Sequence, residues 1–349
     1  MQTRWCCFSF VRSVLLGLTL LCGAAVSGGC ATDASVIQQA QQVHKSLEPA
    51  IIRDPELANY LQSVGQRIVE AAKTADEEKV GPKSHFDKED DQWMYSKNMK
   101  FYLVNSKTLN AFTTGGESMY IYNELFQEAK SEDELAAVMS HEYAHVYCRH
   151  VAKGMNRQIP LLVGGALAGA GAGYALGGKD NKAEAAALGA GVGGAAGQFA
   201  NMGFTRGDEA EADKYGFWFY THAGWDPNRF GDFFQHMIDK GYDKTPGILS
   251  DHPTLASRVE EAKQRAKGLP RNSDEWHRRP IADASRFRQL QQRAASLAKR
   301  LPDDKSLQNS QELLQALPRS CVAPVDPPDA QEARESLSRK AEHAKHAKQ

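Results

Sequence analysis

The sequence predicts an α+β fold, mainly helical, with one small β-sheet. Three observations predict it. Leu57, Tyr60, Leu61, Val64 and Ile68 recur at helical spacing behind Asp54-Pro55, an N-cap followed by proline at the first helical position. Ser131 and Glu134 form a capping box that opens a helix running to about His150. Between these helices lie two short β-rich runs, Phe101-Tyr102-Leu103-Val104 and Ser118 to Tyr122, divided by the turn signal Gly115-Gly116.

Residues 1–30 read as a secretory signal. Arg4 and Arg12 make a positive start, Val14 to Leu21 a short apolar core, and small residues follow from Gly23 to Gly29. The small residues before Cys30 resemble a bacterial lipobox, with Ser27 standing where leucine is usual. The expectation is a lipid-bearing Cys30, with a cleaved signal or an uncleaved anchor as alternatives. Ala31 then implies the outer membrane, which puts the mature chain in the bacterial periplasm with its N-terminus at a membrane. Cys148 and Cys321, the cysteines left after cleavage besides Cys30, read as unpaired thiols rather than a disulfide.

A helical region spans residues 33–74. Residues 75–96 are charged and aperiodic and read as a surface insertion. Residues 161–200 are rich in Gly and Ala around the polar Lys179-Asp180-Asn181-Lys182, and read as a helical hairpin in preference to a membrane-inserted pair. Further helices are expected from Thr205 to Ala223 with Gly224 as its C-terminal stop, from Asp226-Pro227 to near Lys240, and from Pro253 to Lys267. Residues 31–267 form the expected catalytic domain. Residues 268–349 are expected to be a helical, partly disordered tail, with helices around Phe287, Leu290 and Leu297 and from Leu307 to Leu317.

Composition excludes several function classes. The chain has 349 residues, with 42 Lys+Arg against 43 Asp+Glu, so no basic surplus points to nucleic acid. No apolar run has the length of a polytopic membrane protein. Six cysteines are too few for a disulfide scaffold.

Ser140-His141-Glu142-Tyr143-Ala144-His145 contains H-E-x-x-H. Four helical residues advance the chain by about 400°, so the two imidazoles stand about 40° apart on one face and can share a Zn²⁺. Glu142 points to the open side of such a metal as general base. Catalytic zinc takes three protein ligands and keeps a fourth position open. Asp208-Glu209-Ala210-Glu211-Ala212-Asp213 supplies the candidate. Glu209 and Asp213 share a helix face in the E-x-x-x-D arrangement of gluzincins, where the Glu ligates and the Asp holds a ligand histidine. Glu211 is the competitor for ligand. His150 lies nine residues from His141, about 180° around the helix, so it is not expected to be a ligand, and with Arg149 it reads as complementing the helix dipole.

Four segments together resemble metallopeptidase family M48 from about residue 33 to 267: Asn110-Ala111-Phe112 with Gly115-Gly116, His141 to His150, Arg206 to Asp213, and Asp251-His252-Pro253 with Arg258. The resemblance is closest to its bacterial periplasmic, BepA- and LoiP-like members. It implies one Zn²⁺ held by His141, His145 and Glu209, Glu142 as base, and Asp213 behind a ligand histidine. It also implies an edge strand, Gly116-Glu117-Ser118-Met119-Tyr120 on to Tyr122, that binds the substrate backbone. His252 would take the fourth zinc position and hold the enzyme inactive, or else sit in a capping turn before Pro253. Arg258 would contact substrate or the oxyanion, or else pair with a carboxylate. The implied function is a zinc endopeptidase of the bacterial envelope acting on misfolded or misassembled membrane-associated proteins. The alternative is a chaperone of the outer-membrane assembly machinery with gated proteolysis.

Overall fold

The computed structural model describes residues 32–77, 89–157, 199, 203–242 and 254–317. The signal segment with Cys30, nearly all of the Gly/Ala-rich stretch, His252, Cys321 and the chain beyond Leu317 lie outside the described residues. The architecture is mainly helical with one three-stranded sheet, as the periodicities predict.

Helix α1 (Asp33–Leu47) opens at Thr32, whose side chain and that of Ser35 cap each other's backbone N–H. α2 (Pro55–Glu77) begins where Asp54-Pro55 predicts, the Asp54 carboxylate accepting the Leu57 N–H at 3.0 Å. Leu57, Leu61, Val64 and Ile68 are fully buried in the main core. The charged stretch after α2 is not wholly a surface excursion. Trp93 Nε1 donates to Asp33 at 3.0 Å, Met94 is fully buried, and the Met94 carbonyl accepts the Tyr143 hydroxyl at 2.9 Å.

The strands are β1 (Lys100–Val104), β2 (Ala111–Thr113) and β3 (Ser118–Tyr122), in spatial order β1-β3-β2. This corrects the expected edge strand. Gly116 and Glu117 lead into β3, but Ser118, Met119 and Tyr120 belong to the central strand, parallel to β1 on one side and mostly paired with antiparallel β2 on the other. Two partners already occupy the β3 backbone, so it cannot add a peptide. On the far side of β1, Ile52 N–H bonds Leu103 O at 2.8 Å and Asn105 N–H bonds Ala50 O at 2.7 Å. Among the described residues the sheet therefore ends at β2. Tyr122 N–H bonds Asn110 O and Thr114 N–H bonds Ser118 O. By antiparallel alternation, the main-chain groups of Ala111 and Thr113 then face away from β3.

After α3 (Asn123–Glu128), α4 (Glu132–Tyr147) opens at Ser131, whose Oγ accepts the Glu134 N–H at 3.4 Å. Glu134 reaches back to the Lys130 N–H at 2.9 Å, one residue before the cap, so the box is offset. α4 stops earlier than expected. Arg149 adopts φ 54°, and residues 150–157 form a separate helical stretch. α5 (Arg206–His222) opens on a full capping box between Thr205 and Asp208. Gly224 follows it at φ +94°, a left-handed position that suits the expected glycine. Asp226-Pro227 starts a single 3₁₀ turn (Pro227–Arg229) before α6 (Asp232–Asp239), and α7 (Leu255–Lys267) is capped by Thr254.

α8 (Ala284–Ala298) and α9 (Lys305–Ala316) are not an appendage. Phe287, Leu290 and Ala294 enter the main core, and Leu307, Leu313 and Leu314 a second cluster with Val43, Leu47 and Tyr122. Glu132, 2% exposed in the first turn of α4, accepts hydrogen bonds from Tyr60 Oη, Trp225 Nε1 and the backbone N–H groups of Ile281 and Ala282. That buried carboxylate binds α2, α4, the turn after α5 and the start of the tail together. No helix among the described residues is long and apolar enough to cross a membrane.

Candidate metal centre

α4 and α5 meet backbone to backbone at Gly216. A Cβ placed on Gly216 of α5 would lie 2.9 Å from His141 Cα and 3.1 Å from Ser140 C, so glycine is what lets the two backbones touch. That contact brings the two predicted motifs face to face. His141, His145 and Glu209 offer ligand atoms all within 4.8 Å of one another, and all three residues are fully buried.

The donor set fits a divalent metal. Nε2 of His141 and Nε2 of His145 are 3.1 Å apart. Glu209 Oε2 lies 3.3 Å from the first and Oε1 3.8 Å from the second. Neither Glu209 oxygen has a hydrogen-bond donor among the described residues. A buried carboxylate without donors costs several kcal/mol unless a cation compensates it. Lone pairs converging from two imidazoles and a carboxylate are the ligand chemistry of zinc and similar ions. Glu142, beside His141 in sequence, is equally buried and is not part of this group.

Behind His141 the arrangement is as the E-x-x-x-D spacing predicts. His141 Nδ1 lies 2.8 Å from Asp213 Oδ1, an acceptor that favours the proton on Nδ1 and a bare Nε2 toward the ligand group. Asp213 is gripped by Arg258, Nε to Oδ2 at 2.8 Å and an Nη to Oδ1 at 2.6 Å. Burial opposes the charge on Asp213, but the Arg258 charge and the hydrogen bond from His141 outweigh it and hold the carboxyl well below its usual range. The guanidinium also lies 3.9 Å above the Phe234 ring. Arg258 is 4% exposed and committed to Asp213 on the Nδ1 side of His141. This geometry supports the carboxylate-pairing alternative over contact with an oxyanion. His252 lies outside the described residues, and the capping of α7 belongs to Thr254.

Two residues stand at the site that spacing alone did not find there. Phe204 stacks on His145 with ring centroids 4.1 Å apart. His150 is fully buried, its Nδ1 2.8 Å from His145 Nδ1 and its Nε2 2.9 Å from Glu211 Oε2. The 180° argument that placed His150 on the far face assumed an unbroken helix. The turn at Arg149 breaks it, and the Arg149 guanidinium is held at 2.6 Å by Asp33 of α1. Arginine is not a residue that usually marks a left-handed position, so no local signal announces the break. Glu211, the competitor for ligand, pairs with His150 and with Lys153 at 3.1 Å and is not part of the His141, His145 and Glu209 group. Cys148 is a free, buried thiol whose pKa burial pushes up.

Known proteins are similar to this chain in sequence. "Beta-barrel assembly-enhancing protease" of Escherichia coli K12 is 32% identical over 225 residues, covering 63% of this chain and 41% of that protein. The protein of that name from Yersinia pestis is 32% identical over 224 residues, with the same shares. "Metalloprotease LoiP" of Escherichia coli K12 is 26% identical over 168 residues, 48% of this chain and 62% of that protein. The chain thus spans about two fifths of the length of the assembly-enhancing proteases it matches. The model of peptidase family M48 matches residues 55–266, so that one family covers the sheet, both ligand helices and the arginine behind Asp213, and the chain belongs to peptidase family M48.

Proposed function

We propose that the chain is a zinc-dependent endopeptidase of the bacterial cell envelope. The observation that carries this reading is the convergence of His141, His145 and Glu209 into one buried ligand group with Glu142 on the same helix and outside it. A zinc ion held there would supply the Lewis acid that activates water and polarises a scissile carbonyl. Glu142 takes the proton of the attacking water and delivers it to the leaving amine. Asp213 and Arg258 fix His141, so the ligand ring does not swing as charge develops. The substrate backbone adds to the outer side of β2, through the main-chain groups of Ala111 and Thr113. β2 packs against α4, which favours it over the central β3.

Envelope location and a substrate class of misfolded or misassembled membrane-associated proteins are supported by the signal-like residues 1–30 and by the names of the relatives. Gated action is favoured by a separate observation. His141, Glu142, His145, Glu209 and all of β2 are buried in this arrangement, so a peptide needs a rearrangement to reach them. A chaperone of outer-membrane assembly with secondary proteolysis is therefore the second reading.

The test compares Glu142→Gln and Glu209→Gln for zinc content and casein cleavage. Glu142→Gln is expected to hold one zinc and lose cleavage, and Glu209→Gln to lose both. Cleavage that survives Glu142→Gln, or zinc lost from Glu211→Gln instead of Glu209→Gln, refutes the assignment. An assembly function that persists in Glu142→Gln cells selects the chaperone reading.

A further inference from the structure

The two ligand imidazoles are backed differently. His141 meets the carboxylate of Asp213 directly, at 2.8 Å. His145 meets another imidazole, Nδ1 to Nδ1 at 2.8 Å from His150. His150 then turns its Nε2 to Glu211 Oε2 at 2.9 Å, with Asp208 Oδ1 at 3.8 Å. Each carboxylate at the outer end has its own cation. Asp213 has Arg258, Glu211 has Lys153 at 3.1 Å, and Asp208 has Arg157 at 2.7 Å. His150 is fully buried, and among the described residues its ring nitrogens hydrogen-bond to His145 and Glu211.

We propose that His150 is a positioning residue for the metal ligand His145, setting its tautomer through Glu211. The inference rests on the metal-site reading above. Only one proton fits between two nitrogens 2.8 Å apart. Glu211 and Asp208 are acceptors, so they hold a proton on His150 Nε2. In the neutral ring, His150 Nδ1 is then a bare acceptor, and it takes the Nδ1 proton of His145. His145 is left with an unprotonated Nε2, the nitrogen that lies 3.1 Å from His141 Nε2 and 3.8 Å from Glu209. The opposite tautomer would aim an N–H into the ligand group and block the metal. The break at Arg149 is what makes this geometry reachable, because it turns the next residue back toward the ring of His145. A relay of this kind orients a ligand as a directly bonded carboxylate does, and loss of such partners weakens metal binding about 10- to 100-fold.

The experiment uses the purified full chain stripped of metal. Zinc affinity is read by competition against a chelating dye for wild type, His150→Asn and His150→Leu, and urea unfolding of each metal-free chain is read alongside. Asn and Leu share the same branching at Cγ, but only Asn places an acceptor near the position of Nδ1. His150→Leu is expected to bind zinc about 10- to 100-fold more weakly, and His150→Asn to recover most of that loss. Equal affinities in Leu and wild type, or equal losses in Asn and Leu, overturn the proposal. Failure of wild type to bind zinc overturns the metal-site reading itself and takes this inference with it. Should His150→Leu not fold, nitrogen NMR of the metal-free wild type decides. The expected pattern is a proton on Nδ1 of His145 and on Nε2 of His150, and the reverse pattern overturns the relay.

Discussion

Gly216→Ala adds one methyl group where the two ligand helices touch. That carbon would sit 2.9 Å from His141 Cα, 3.0 Å from His141 N and 3.1 Å from Ser140 C. Comfortable carbon contacts begin near about 3.5 Å, so α4 and α5 must part by about 0.6 Å. All three obstacles are backbone atoms, and no side-chain rotation relieves them. Glu209 lies two turns along α5 from the contact, so a displaced helix carries it away from the histidines. Metal sites tolerate distance errors of only about 0.2 Å. The substitution is therefore expected to weaken zinc binding at least about tenfold, roughly 1.4 kcal/mol. For the metal-free chain two terms oppose each other. Ala in a helix interior gains about 0.5–1 kcal/mol over Gly, while overpacking costs about 1–3 kcal/mol. The net expectation is a loss of up to about 2 kcal/mol in urea unfolding. A Gly216→Ala chain that binds zinc like wild type, and is as stable or more so, would refute the reasoning, because helix propensity alone would then account for the result.

Arg258→Ala strands the buried Asp213 carboxylate without its cation, so the metal-free chain should lose about 3–5 kcal/mol in urea unfolding, and a loss below about 1 kcal/mol contradicts that role. Asp54 carries a pH signature. Hydrogen bonds from Arg293 depress its pKa in the folded state, so its contribution is complete above the usual carboxylate pKa of about 3.9 and fades as pH falls through the lower folded value. The stability gap between wild type and Asp54→Asn should be constant from pH 7 to 5 and close toward pH 2, and a gap that widens in acid contradicts the linkage. Palmitate labelling in cells should mark wild type and not Cys30→Ser, and equal labelling of the two removes the lipid anchor.

Much of the site was legible because its parts are local. His141 with His145, and Glu209 with Asp213, are each four residues apart on a single helix, and both helices announce themselves by capping residues. What sequence could not give was the join between them. Gly216 reads as an ordinary helical glycine until His141 is known to lie against it. Arg258 sits 45 positions from Asp213, so its partner was one of several alternatives. The position of His150 depends on a left-handed arginine fixed by Asp33, a contact across 116 positions. β2 has only three residues, too few to show a period, and its place beside β3 turned the expected edge strand into the central one.

The four donors gathered on Glu132 separate two kinds of boundary. The sequence shared with the family stops at residue 266, yet the backbone of Ile281 and Ala282 closes the first turn of the helix that carries both histidines. Phe287 packs its ring edge-on to Tyr60 and Phe126, so the same segment also caps the core beneath that turn. A chain cut at the family limit would retain every metal ligand and still leave a buried carboxylate with half its hydrogen bonds. The helix that carries both histidines and the trailing helices are therefore expected to melt as one cooperative unit. Residues 268–317 are thus held to two tasks, delivering two amide groups to one carboxylate and filling the core beneath it.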